Sequence, residues 1–119
     1  MRALILAAFV ALAATLAHAP VAQAAWASDP YLAQVAVCTA SGTQSDFSVC
    51  SDAAGGVIVA WVDQRPGATT DVYAQRINAS GNPVWAADGV PVCTVTGTQT
   101  NPQIVPDGTG GAFVVWMDR

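Results

Sequence analysis

Few kinds of side chain in this sequence could carry chemistry: eight aspartates, three cysteines, four arginines and one histidine, with no lysine and no glutamate. An acid–base enzyme needs titratable groups tuned within one pocket. Here a hydrolytic pair would have to be two aspartates, because His18 lies in a stretch read below as a leader. The aspartates recur in register, Asp52 with Asp107 and Asp63 with Asp118, each pair 55 residues apart. A residue that returns because its turn returns is explained by the turn, since Asp bonds nearby backbone amides and glycine takes positive φ freely. Turn and strand-end roles are therefore expected for these four residues, and no catalytic, cofactor-binding or metal-binding set is assigned.

Other chemistries are weaker in the sequence. Carboxylates and loop carbonyls could hold calcium in an exported acidic chain, yet there is no alternating D-x-D-x-D-G run, and no Cys or His pair has zinc spacing. Asn78-Ala79-Ser80 fits the N-glycosylation pattern, although Asn before a turn glycine is commonplace. The cysteines, Cys38, Cys50 and Cys93, are odd in number, so at least one stays free or bonds another molecule. They are expected as buried thiols behaving like small hydrophobes; the alternative is a Cys38–Cys50 bridge across the turn containing Ser41-Gly42. Cys38 and Cys93 are equivalent positions and are not expected to bond, since a disulfide needs Cα atoms within about 7 Å.

The elements that must position these residues repeat. Residues 30–64 and 85–119 align without a gap, with identities at Val35/Val90, Val37/Val92, Cys38/Cys93, Gly42/Gly97, Gln44/Gln99, Gly56/Gly111 and Trp61/Trp116 among others. Self-similarity at such a period marks propellers and related arrays. Leu32–Val37 is a short strand candidate closed by the polar run Thr39–Asp46, and Phe47–Cys50 is the next. Gly56–Val62 is the strongest strand, continuous and β-branched, bounded by the Asp52–Gly56 turn and by Asp63–Gly67 with Pro66. Asp71–Asn78 alternates, with Tyr73, Gln75 and Ile77 on one face and Val72, Ala74 and Arg76 on the other. Neither face is wholly apolar, so it is expected nearer the rim than the core. Val84-Trp85 opens a further strand that resumes at Val90–Cys93, and Gln103–Val105 and Gly111–Met117 begin the second copy. Trp61 and Trp116 are expected to pack between sheets.

One period thus holds four short strands with tight turns. This predicts an all-β fold of four-stranded antiparallel propeller-type blades in an incomplete array; the alternative is a seven-stranded β-sandwich. The organisation read is a leader over 1–24, the tail of a preceding unit over 25–46, one complete repeat over 47–93 and the first half of the next over 94–119.

Arg2, the apolar run Leu4–Ala17 and the A-x-A signal Ala22-Gln23-Ala24 together read as a secretory signal peptide. Beyond it three arginines oppose eight aspartates, a net charge of −5. Without a basic stripe, nucleic acid and anionic membrane are disfavoured partners. The absence of Glu and Lys, both good helix formers, argues against long helices.

Asp-x-x-Gly-Gly and Trp-x-Asp-x-Arg over 52–65, Asp-x-Tyr-x-Gln-Arg over 71–76, then Gly81, Trp85 and Asp88-Gly89-Val90 resemble a tandem repeat of secreted bacterial proteins. These are often multi-repeat, propeller-like surface proteins, some ending in a secretion or sorting domain. The resemblance covers nearly all of the chain beyond the leader, and it implies a scaffold rather than a catalytic set. The second copy departs at its end, where Arg119 directly follows Asp118. The expected function is an exported, non-catalytic module at the cell surface or secreted, binding a protein or glycan, further repeats or another subunit. The alternative is part of a secreted propeller enzyme, such as a glycoside hydrolase, with its catalytic residues outside this chain. If the leader is processed, N-terminal sequencing of material from the envelope or medium should read from Ala25, and a product retaining Met1 would refute export.

Overall fold

The run Val57–Val62 is Val, Ile and Trp broken only by Ala60, a composition that fits a pleated, covered surface along its whole length. It lies at the centre of the fold. The computed structural model describes residues 34–65, 67 and 69–119, within which the chain is all-β and its sheets antiparallel. The strands are β1 (Thr43–Ser51), β2 (Val57–Gln64), β3 (Asp71–Ile77), β4 (Val90–Cys93), β5 (Gln99–Pro106) and β6 (Ala112–Asp118). The first four form one sheet in the order β1-β2-β3-β4, and β5 and β6 form a second. The leader, Leu32 and Ala33 of the first expected strand, and Pro66 lie outside the described residues.

Register follows from the turns. Val49 faces Val59 and Cys50 faces Ile58 across β1 and β2, while Ala60 faces Ala74 and Trp61 faces Tyr73 across β2 and β3. Strand alternation then sends Cys50, Ile58, Ala60 and Ala74 to one face of the sheet and Val49, Val59, Trp61 and Tyr73 to the other. The second sheet stacks on the first of these faces. Ile58, Ala60, Ala74 and Ile104 form the buried core there, with Cys50, Trp85, Val92, Ala112 and Val114 packed around it. Burying each isoleucine contributes about 1.5–3 kcal/mol.

Within the two hairpins, positions 55 residues apart share a backbone state. Both hairpins carry a bulge at the same place, between Ser45 and Ser48 in β1 and between Thr100 and Gln103 in β5. Each bulge holds a residue in the left-handed region, Asp46 at φ 47° and Asn101 at φ 52°. Asp and Asn tolerate that region better than most side chains.

Several expectations are corrected. Residues 34–37 form no strand, and β4, which holds the equivalent positions, is a strand because β3 pairs with it. β1 begins at Thr43 and β5 at Gln99, because the bulge lets the polar residues before Phe47 and Gln103 keep pairing. β3 is interior, not near the rim, with Val72, Ala74, Gln75 and Ile77 buried. Gln75 and Arg76 are tolerated there because each finds a partner, as described below. Val84-Trp85 is not a strand; only Pro83 bridges to Ile77, and the chain regains the sheet at Val90. Trp61 lies on the face turned away from the second sheet, stacked against Tyr73 at 6.4 Å between ring centroids. Trp116 is half-buried.

Ile58 and Phe113 are equivalent positions in opposite settings, 1% and 65% exposed. Ile58→Ala should cost about 2–5 kcal/mol in urea unfolding of dilute protein, whereas Phe113→Ala should stay within about 0.5 kcal/mol. Equal losses at the two positions would contradict the stacking.

Candidate functional site

The motif Trp61-x-Asp63-x-Arg65 closes β2. Residues two apart share a face of a strand, so the indole of Trp61 reaches the Asp63 carboxylate, donating to Oδ2 at 2.9 Å. Arg65 Nε donates to the same oxygen at 3.0 Å. The guanidinium also lies 3.8 Å from the ring centroid of Tyr73 on β3, a cation–π contact. Its Nη2 donates to the carbonyl of Asp88 and to Cys38 Sγ, the latter at 3.7 Å. One buried carboxylate thereby gathers the end of β2, the face of β3, the turn before β4 and the segment before β1. Gly89 completes this clasp at φ 85°: a β-carbon there would sit 2.5 Å from the Trp61 ring.

The neighbouring motif is equally committed. Gln75 Nε2 donates to the carbonyl of Ala86 at 2.8 Å, and its Oε1 accepts from the amides of Trp85 and Arg76, each at 3.0 Å. That ties the long connection before β4 to the middle of β3. Arg76 Nε pairs with Asp52 Oδ2 at 3.0 Å, so the first hairpin turn is anchored across the sheet. Asp52 Oδ1 accepts from the amides of Ala54 and Gly56 at 2.8 and 2.7 Å. Asp107 makes the same turn through Thr109 and Gly111 at 2.7 and 3.0 Å, but it is exposed.

Electrostatics follow this geometry. Burial opposes ionisation of Asp52, but the two amides and the Arg76 guanidinium outweigh it and hold the carboxyl below the usual carboxylate range. Asp88 is also lowered, by the amide and hydroxyl of Thr39, which bond Oδ1 at 2.6 and 2.9 Å. Cys38, Cys50 and Cys93 are all half-buried free thiols, with no Cys38–Cys50 bridge. Burial pushes the Cys50 thiol up, and the Asp107 and Asp52 charges add to the effect, which makes it a poor nucleophile. Among the described residues, no group of three Cys, Asp, Glu or His side chains is placed to hold a metal. Asn78 Oδ1 accepts from the amides of Ser80 and Asn82, each at 3.0 Å, so this side chain serves its turn.

Among the described residues two openings of about 440 Å³ remain; one lies between the sheets and is bordered by Ile58, Ala74, Trp85, Asp107 and Val114, and the other is apolar. Beside the clasp, on the face turned away from the second sheet, a groove of about 440 Å³ is lined by Val37, Phe47, Val49, Val59 and Trp61, with Cys38, Gln44 and Ser45 also bordering it. It can receive apolar or aromatic groups; its lining holds no acid–base pair. No known protein family, characterised protein or solved structure matches the chain.

The sequence pointed to turn roles at Asp52 and Asp107 but not to the Asp52–Arg76 pair, the Asp63 clasp or the part played by Gln75. The demand for these partners appears only with the register of the fold, which sets Arg76 opposite the buried Ile58 and buries Gln75 in the middle of β3, where a polar side chain needs a dedicated partner. Because the folded carboxyl of Asp52 titrates below the unfolded one, at about 4, its contribution is full above that pH and is lost as pH falls through the folded value. Acid unfolding followed by circular dichroism should therefore lose this pH-dependent component in Asp52→Asn. Asp52→Ala should cost about 1–3 kcal/mol by orphaning its buried donors, and Asp107→Ala less than that.

Proposed function

We propose that this chain is an exported, non-catalytic β-repeat module of propeller-like type, acting in binding or as a surface scaffold. One observation carries the reading: the polar residues of the repeat signature are engaged in holding the sheet together. Trp61, Asp63 and Arg65 form the clasp, Asp52 and Arg76 the ion pair, and Gln75 the tie to the 85–86 connection. Of those residues only Trp61 borders the groove, through its apolar ring; the charged and amide groups are engaged with the sheet and its turns, and the groove lining is mainly apolar.

Support for propeller-type stacking comes from the four-stranded meander β1-β2-β3-β4, the strand order of a blade, and from the second sheet lying on its face. The leader motif and the acidic charge support export and disfavour nucleic-acid partners. In this reading a protein or glycan ligand is held by loops and groove without turnover.

Two measurements test this. Appending copies of residues 39–93 should raise stability with each copy and yield a closed, monodisperse species at about four to eight blades. Polysaccharides and oligosaccharides incubated with the protein should show no release of new reducing ends. Turnover abolished by Asp63→Asn in a variant that still folds would replace the module with an enzyme.

A further inference from the structure

Two faces of the stack are exposed and apolar. One is the groove face of the first sheet, where Phe47 is 77% and Val49 53% exposed. The other is the outward face of the second sheet, carrying Val105, Phe113, Val115 and Met117.

The contact between the two sheets shows what each face fits. Moving back by 55 positions, Ile104 and Val114, which the second sheet presses onto the first, become Val49 and Val59 of the groove. Moving forward by 55, Cys50, Ile58 and Ala60, which receive them, become the exposed Val105, Phe113 and Val115. Val37, which borders the groove, corresponds instead to Val92 on the receiving side, so the segment before β1 already sets one receiving-type residue against the groove. Among the described residues there is therefore one mated pair of faces and one unmated copy of each half.

Side-chain sizes in the unmated pair are exchanged rather than lost. Phe113 and Val115 are bulkier than Ile58 and Ala60, while Val49 is smaller than Ile104. A larger projecting face thus meets a groove with about 440 Å³ to fill. We infer that a second copy of this chain occupies the open pair, with the Phe113–Val115 face of one copy seated in the Val49–Val59 groove of the next. The contact is head to tail, so it joins different surfaces and extends beyond a dimer unless the rotation closes a ring. It goes beyond the module reading, because it names the partner surface without reference to any ligand.

Complementation of two variants of the full chain tests this. Wild-type protein followed by sedimentation velocity should show concentration-dependent species larger than a dimer, strengthened by salt as the shared negative charge is screened. Val49→Asp blocks the groove and Val115→Asp blocks the projecting face. Both positions are exposed, at 53% and 63%, so folding should be kept. Each variant alone should be monomeric, with self-association weakened about tenfold or more. An equimolar mixture should form a 1:1 dimer and nothing larger, because one intact groove and one intact face remain. Phe47→Ser and Phe113→Ser repeat the test should either aspartate variant fail to fold. A monomeric wild type at high concentration, self-association persisting in both single variants, or a mixture that stays monomeric would each overturn the inference. Persistence in both variants would also mark association driven by residues outside these faces.

Discussion

The fold depends on the need to cover β2 twice. A strand reading Val-Ile-Val-Ala-Trp-Val has no solvent side, so a sheet built around it requires a layer on each face. On one face Ile104 of the second sheet rests on Ile58, Ala60 and Ala74. On the other, among the described residues, cover is fullest at the Trp61 end, where Tyr73, Gly89 and Arg65 close over the indole and its carboxylate. Toward Val59 and Val49 that cover gives way to the groove. Stacking and clasp are thus two answers to one demand, the first made by another copy of the hairpin and the second by loops.

The buried carboxylates belong to the same constraint. Asp52 and Asp63 have essentially no exposed surface, and an ion taken from water costs several kcal/mol unless it is paired and hydrogen-bonded. Asp52 answers with two amides and Arg76, Asp63 with an indole and Arg65. Such pairs add little net stability, but losing one partner is costly, so they select among arrangements. A slip of β3 against β2 by one residue would turn Arg76 away from Asp52 and Tyr73 away from Trp61. The two copies also differ at the strand-end carboxylate. Gln99 Nε2 donates to Asp118 Oδ1 at 3.0 Å, whereas among the described residues the equivalent atoms, Gln44 Nε2 and Asp63 Oδ1, have no partner. In the first copy, Trp61 and Arg65 both bond the other oxygen, Oδ2.

Strand type and antiparallel class were legible because they rest on local pattern: the apolar run of β2, the alternation of Asp71–Ile77 and the Asp-Gly turns. The ends of β1 and β5 were not. Thr43–Asp46 and Gln99–Asn101 read as turn residues, and only a bulge that spends one left-handed position lets them pair. The depth of β3 was misread for a related reason. Gln75 and Arg76 look like surface residues until their partners are known, and those partners lie 10 to 24 positions away in the chain. Long-range pairing of polar groups leaves no periodic trace in one sequence. The groove was also hidden, since it is the part of an apolar face that remains after the clasp has formed.

Comparison of the two hairpins locates where this architecture can carry specificity. The turn residues Asp52/Asp107 and Gly55-Gly56/Gly110-Gly111 and the strand-end pair Trp61/Trp116 and Asp63/Asp118 are identical, as the shared backbone requires. Every position from Ser45 to Ser51 differs from its counterpart in Thr100 to Pro106. Those residues lie in β1 and β5, and β1 is the edge of its sheet. It contributes Ser45, Phe47 and Val49 to the groove, while β5 contributes Ile104 to the internal core. An edge strand can change its side chains without disturbing the clasp, which draws on β2, β3 and the turn before β4. Variation is therefore placed where it alters what a face fits and leaves intact what holds the sheet.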